Sequence, residues 1–152
     1  MQVDAVNPLI SGLVETFEKM LNIDLRVGKL NLTHKKAFSC KLNAIVAYND
    51  GATGIVCLGF GTRTAAAVVT ALLQEDVHDD LDMVEDGISE LVSIITGYAK
   101  KDLMGKKMKL GLPEIRSEQD PCPYEFLPVV VVPFSFNEFK FQMDISMPKL
   151  EC

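Results

Sequence analysis

The sequence predicts an α+β fold in which a largely antiparallel, six-stranded sheet packs against helices. Three observations lead there. Apolar residues recur at helical spacing in three segments. Strand-like runs occur in two groups of three, giving the order helix, three strands, two helices, three strands. Neighbouring runs are joined by short turn-rich connections, as in hairpins, and not by the helical crossovers of a doubly wound sheet.

The first helix is NPLISGLVETFEKML, where Leu9, Ile10, Leu13, Val14, Phe17, Met20 and Leu21 share a face. Pro8 suits its first turn, because the N–H that proline lacks has no partner there. Residues 24–34 (DLRVGKLNLTH) alternate roughly by two, as a half-buried strand does. KLNAIVAY and GIVCLGF flank Asn49-Asp50-Gly51, a turn signal that pairs them as a hairpin. Thr62 or Thr64 can cap the short helix TRTAAAVVTALL, which gives way to the acidic loop QEDVHDD. A long helix then runs from about Asp80 to Leu103. Gly105 ends it, and Lys100, Lys101, Lys106 and Lys107 complement the negative end of its dipole. MKLGLPEIRS is a weak strand, SEQDPCPYEFLP a loop, and VVVVPFSF with EFKFQMDISM a last hairpin around Asn137-Glu138. No internal repeat or linker interrupts the pattern, so residues 1–152 read as one domain.

With 48% hydrophobic and 24% charged residues, the chain has enough apolar surface for a real core. A net charge of −6 argues against nucleic acid and anionic membranes, both of which select basic patches. The start, MQVDAVNPLI, lacks the basic and apolar regions of a signal peptide, and a cytoplasmic location is expected. Cys40, Cys57, Cys122 and Cys152 form no C-x-x-C pair and read as reduced thiols, Cys57 as core. Only His34 and His78 could serve as imidazole bases for a cysteine nucleophile.

Two stretches imitate ligand sites. GFGTRTA (59–65) follows a strand and enters a helix, but Thr64 replaces the third glycine of a dinucleotide fingerprint and no βαβ unit follows. EDVHDDLDMVED (75–86) is acidic, yet it misses the carboxylate spacing and turn glycine of a calcium loop. Acids at a helix start are expected from the dipole alone. No resident metal or cofactor is expected.

The long helix is more informative. At about 100° per residue, Leu81, Val84, Ile88, Leu91, Val92, Ile95, Ala99 and Leu103 form a core stripe. Opposite lie Asp86, Glu90, Ser93 and Gly97, with Ile94 and Lys101 at the margin. A solvated face explains the acids and the serine. It explains Gly97 poorly, because glycine inside a helix costs about 1 kcal/mol relative to alanine. Such a glycine either relieves crowding within the chain or lets another surface approach the helix.

In the order of these segments the sequence resembles the CheC/CheX/FliY family of chemotaxis phosphatases, and its CheX branch most. The family's helix carries an acid, then E-x-x-N, then small residues ending in A-K. Asp86, Glu90, Gly97, Ala99 and Lys100 match that frame, and the likeness extends from about residue 5 to 147. The first helix has no E-x-x-N of its own, so a two-site arrangement is not expected.

The resemblance implies an antiparallel sheet packed with helices, commonly as a homodimer. It implies a phosphorylated CheY-type receiver domain as partner, with magnesium supplied by the receiver. In the family the glutamate binds a receiver lysine and the asparagine holds a water in line with phosphorus. Glu90 inherits the first role, while Ser93 occupies the asparagine position. A serine hydroxyl ends one bond short of an amide and offers one donor in place of two. Three readings follow: a phosphatase weakened at Ser93, a receiver-binding module without turnover, or an interaction domain unrelated to phosphosignalling. The candidate catalytic residues are Glu90 and Ser93, and the candidate partner-binding residues Asp86, Glu90, Ile94 and Gly97.

Overall fold

A computed structural model describes residues 3–49, 53–103, 109–124 and 127–146, the side chains of residues 3–5, 53 and 101–103 excepted. It contains three helices, α1 (Val3–Thr16), α2 (Thr62–Leu73) and α3 (Leu81–Leu103). Eight strands form one antiparallel sheet: β1 (Arg26–Val27), β2 (Asn31–His34), β3 (Leu42–Asn49), β4 (Thr53–Phe60), β5 (Lys109–Leu110), β6 (Glu114–Ser117), β7 (Pro128–Phe136) and β8 (Phe139–Ser146).

The expected six strands become eight because both edge strands are broken. β1 and β2 both pair with β7, and β5 and β6 both pair with β3, so the sheet still has six ranks. The 24–34 strand divides opposite Pro133, which has no N–H to give to the ladder. There the Gly28 amide donates to the Pro133 carbonyl at 2.8 Å, and a Cβ on Gly28 would stand 2.7 Å from Pro133 Cγ. On the far edge the chain passes Gly111-Leu112-Pro113 between β5 and β6, where Pro113 again lacks a donor.

Both hairpins form as expected. β3 pairs with β4 from Leu42↔Phe60 to Asn49↔Thr53, and β7 with β8 from Val129↔Ser146 to Phe136↔Phe139. Asn137, in the second turn, takes the left-handed conformation at φ 50° that asparagine tolerates. The turn residues Asp50 and Gly51 of the first lie outside the described residues, as do Gly105, Lys106, Lys107 and Cys152.

Strand alternation sends two sets of side chains to opposite faces. Ala44, Val46, Val56, Leu58, Phe60, Val132, Phe134, Met143 and Ile145 join the helices in the main core. Phe141 stacks there on Phe17, Phe60 and Phe134 at centroid distances of 5.3, 4.8 and 5.3 Å. On the other face Ile45, Cys57 and Val129 form a smaller cluster with Phe38 and Tyr124. The loop before β7 therefore contributes a fully buried tyrosine.

Two helix boundaries differ from expectation. α1 begins a turn early, which places Pro8 inside the helix. Burial of Leu9, Leu13 and Phe17 against the core offsets the backbone hydrogen bond lost there. α1 then relaxes into a π turn, Phe17–Leu21, and ends on Asn22 at φ 56°. Neither Thr62 nor Thr64 caps α2; Gly61 occupies that position, extended at φ −73° and ψ 164°.

Candidate functional site

α3 starts where the acidic loop turns into it. The Asp80 carboxylate accepts the Met83 amide at 3.1 Å, satisfying one of the free donors at the helix start. Asp76 likewise serves local structure: its carboxylate meets His78 through the backbone amide at 2.9 Å and the ring Nδ1 at 2.5 Å. These contacts account for acids that imitate a cation loop. Among the described residues no three histidine, cysteine or acidic side chains gather as a metal site.

The inner stripe of α3 packs largely as its spacing predicts, with Val84, Ile88, Leu91, Val92, Ile95 and Ala99 buried. Leu81, the first residue of the helix, departs from it and is 58% exposed. The Leu103 side chain lies outside the described residues.

Two glycines let the other helices approach. A Cβ on Gly87 would lie 2.5 Å from Val69 Cγ1 of α2. One on Gly12 of α1 would lie 3.3 Å from the Ile95 carbonyl oxygen and 3.4 Å from Tyr98 Cδ1. The helix layer is thereby drawn together on its inner side.

Gly97 is different. Among the described residues a Cβ there would meet nothing within 4 Å, so crowding by them does not account for the glycine. The face around it is open: Asp86, Glu90 and Ser93 are exposed, and Ile94 and Gly97 partly exposed. Among the described residues neither Asp86 nor Glu90 forms a salt bridge, which leaves their negative charge directed to solvent. The Lys101 side chain, expected at the margin, lies outside the described residues. Thr96, on the inner side, donates its hydroxyl to the Val92 carbonyl at 2.8 Å and is buried.

Sequence reasoning missed one neighbour of this face. Tyr98 donates its hydroxyl to Glu15 Oε2 at 2.7 Å, and Lys19 holds the other oxygen of Glu15 at 2.7 Å. Donation from Lys19, then from Tyr98, keeps the Glu15 carboxyl below its ordinary range. The legible part of this signal was the Glu15–Lys19 spacing of one helical turn. Its link to Tyr98 depends on how α1 crosses α3, which local spacing does not reveal.

The fold and this face define an α+β protein with an open, partly acidic face on one long helix. The profile described as Chemotaxis phosphatase CheX matches residues 42–135, and the chain belongs to that family. It is 26% identical over 151 residues to a protein of Thermotoga maritima described as CheY-P phosphatase CheX, covering 97% of each chain. The fold is similar to that of a chemotaxis protein CheX from Desulfovibrio desulfuricans, with a TM-score of 0.84 and 20% identity across 97% of this chain and 100% of that one. It is also similar, at a TM-score of 0.81 and 22% identity, to a chain in the CheX-CheY-BeF3-Mg+2 complex from Borrelia burgdorferi, covering 97% of this chain and 100% of that one.

Proposed function

We propose that this chain docks the outer face of α3 onto a phosphorylated CheY-type receiver domain and hydrolyses its aspartyl phosphate, at a rate limited by Ser93. The observation that carries this reading is the row of exposed Asp86, Glu90 and Ser93 and partly exposed Gly97, with nothing among the described residues within 4 Å of a Cβ placed on Gly97. Family membership supplies the reaction class, and the related proteins of Thermotoga and Borrelia supply the receiver as partner.

The division of labour follows from the side chains. Glu90, exposed and without a salt bridge among the described residues, takes an ammonium group on the receiver. Ser93 is its neighbour at i, i+3 and reaches the reaction centre beside it. Its hydroxyl donates one hydrogen bond and accepts others, enough to hold a water but from a shorter arm than an amide. Misplacing a reacting water by about 1 Å costs on the order of 100-fold in rate. Magnesium belongs to the receiver and offsets charge on the phosphoryl oxygens; this chain contributes position.

The test measures both binding and loss of phosphate from a receiver phosphorylated by a small-molecule donor, with magnesium present. Glu90→Lys is expected to abolish binding, because losing one partner of a desolvated charge pair costs about 2–5 kcal/mol. Its thermal midpoint should barely move. Ser93→Asn should raise the rate by about 10- to 100-fold, in line with one well-placed polar group. Unchanged affinity in Glu90→Lys removes the docking assignment. Normal binding with no gain in Ser93→Asn removes the serine as the limiting group.

The same substitution supports a second reading, a receiver-binding module without turnover. Ser93→Ala separates the two: a lower rate means that serine positions water, whereas an absent rate in both wild type and alanine variant means a pure binder.

A further inference from the structure

Side chains four residues apart form rows along a helix, and partner helices seat their ridges in the grooves between such rows. On the outer face of α3 one row is low: Ser93 is followed at i+4 by Gly97, with open space above it. The adjacent row is high, since Ile94 is followed at i+4 by Tyr98. Ile94 is half-buried and Tyr98 exposed. The tyrosine is also fixed in place. Its ring packs against Gly12 of α1, where a Cβ would lie 3.4 Å from Tyr98 Cδ1, and Glu15, held in turn by Lys19, accepts its hydroxyl. An exposed aromatic ring that is already ordered loses little entropy when a partner covers it.

We propose that Ser93–Gly97 is a groove, walled by Ile94 and Tyr98, that receives an apolar side chain of the docked receiver and so selects among receivers. This rests on the docking of α3 proposed above and adds a recognition element to it. Glu90 and Gly97 are seven residues apart, about 10 Å along the helix axis. The receiver recognised would therefore present an ammonium group and an exposed apolar side chain about 10 Å apart. The acid supplies charge complementarity at one end, and the walled groove supplies shape at the other. Because Ser93 lies in the same row, an occupant at Gly97 also fixes the distance from its hydroxyl to the phosphoryl group.

The decisive variant is Gly97→Leu, measured for receiver affinity, dephosphorylation at saturating receiver and thermal midpoint. Nothing among the described residues crowds a Cβ there, so the midpoint should hold or rise while affinity falls at least tenfold. Tyr98→Phe keeps the ring and should retain affinity within about threefold, whereas Tyr98→Ala should lose at least tenfold. A purely structural tyrosine would lower the midpoint of Tyr98→Ala without changing affinity at a temperature where the variant is folded. Wild-type affinity in Gly97→Leu overturns the groove even if Glu90→Lys abolishes binding, and the docking reading then survives alone. Wild-type affinity in both variants overturns both. Loss in Gly97→Leu with none in Glu90→Lys removes the docking anchored at Glu90 and overturns the proposal that rests on it.

Discussion

Asp144 is the one carboxylate among the described residues that is buried, and it lies on the sheet face away from α3. Three donors hold it: Lys35 at 2.8 Å, Tyr124 at 2.8 Å and Gln142 at 2.9 Å. A buried charge is tolerable only with such partners, and removing one of them exposes the desolvation cost. Tyr124→Phe should therefore cost about 1–3 kcal/mol in chemical denaturation. Burial, then the neighbouring Cys57 and Asp144, pushes the Tyr124 phenol far above its ordinary range. Burial also raises the Cys57 thiol, with Asp144 adding to the shift. Both groups stay protonated in the folded chain while their unfolded counterparts ionise near about pH 8.5 and 10. Their contribution is full below those values and is lost as pH rises through them. The thermal midpoint should fall above about pH 9, and less steeply in Tyr124→Phe. An equally steep fall in that variant would exclude the tyrosine as a cause. Apart from Cys57, which reads as core, this network was not legible in sequence: SEQDPCPYEFLP reads as a loop, and only the sheet behind it makes Tyr124 a core residue.

The helices show where periodicity suffices and where it does not. Spacing alone identifies the buried stripe of α3, because burial there follows the 3.6-residue period from Val84 to Ala99. It also separates Asp86, Glu90, Ser93 and Gly97 from that stripe, which made the candidate face visible early. Spacing cannot distinguish the two glycines of α3, since their roles depend on what lies across from them. Gly87 faces Val69, a β-branched side chain with little rotamer freedom, and Gly97 faces open space. Alanine separates the cases. Gly87→Ala gains about 1 kcal/mol of helix propensity but incurs about 1–3 kcal/mol of overpacking, so it should destabilise or at best break even. Gly97→Ala meets no obstacle and should stabilise by up to about 1 kcal/mol. Thermal melts of the pair should move in opposite directions. A stabilised Gly87→Ala would show that α2 shifts away from α3 at little cost. Edge strands were the least legible elements, because Pro133 breaks its partner strand from a position about 100 residues away in sequence.

At the scale of the molecule, the chain itself absorbs most of the apolar surface of the hairpin of β7 and β8. The two strands occupy the middle of the sheet, with Val132, Phe134, Phe141 and Met143 buried against the helices and Val129 against the smaller cluster. Within the sheet, exposed large apolar side chains are found instead at or beside its edges. Leu32 of β2 is 67% exposed, with Val27 and Leu30 beside it at 42% and 43%, and Leu112 between β5 and β6 is 86% exposed. Strand edges bearing such side chains recruit other strands unless they are covered. We propose that the chain is a homodimer joined through the β1/β2 edge, since among the described residues that edge carries three exposed large apolar side chains and the other edge one. Arg26, just before that stretch, and Lys29, within it, disfavour indefinite stacking, as edge cations do in other sheets. Light scattering at micromolar concentration should give twice the 16.8 kDa chain mass. Leu32→Lys should halve that value without lowering the thermal midpoint extrapolated to low concentration, since Leu32 is outside the core. Leu112→Lys should leave the mass unchanged. A wild type that scatters as a monomer ends the proposal, and a dimer that survives Leu32→Lys but not Leu112→Lys moves the interface to the opposite edge.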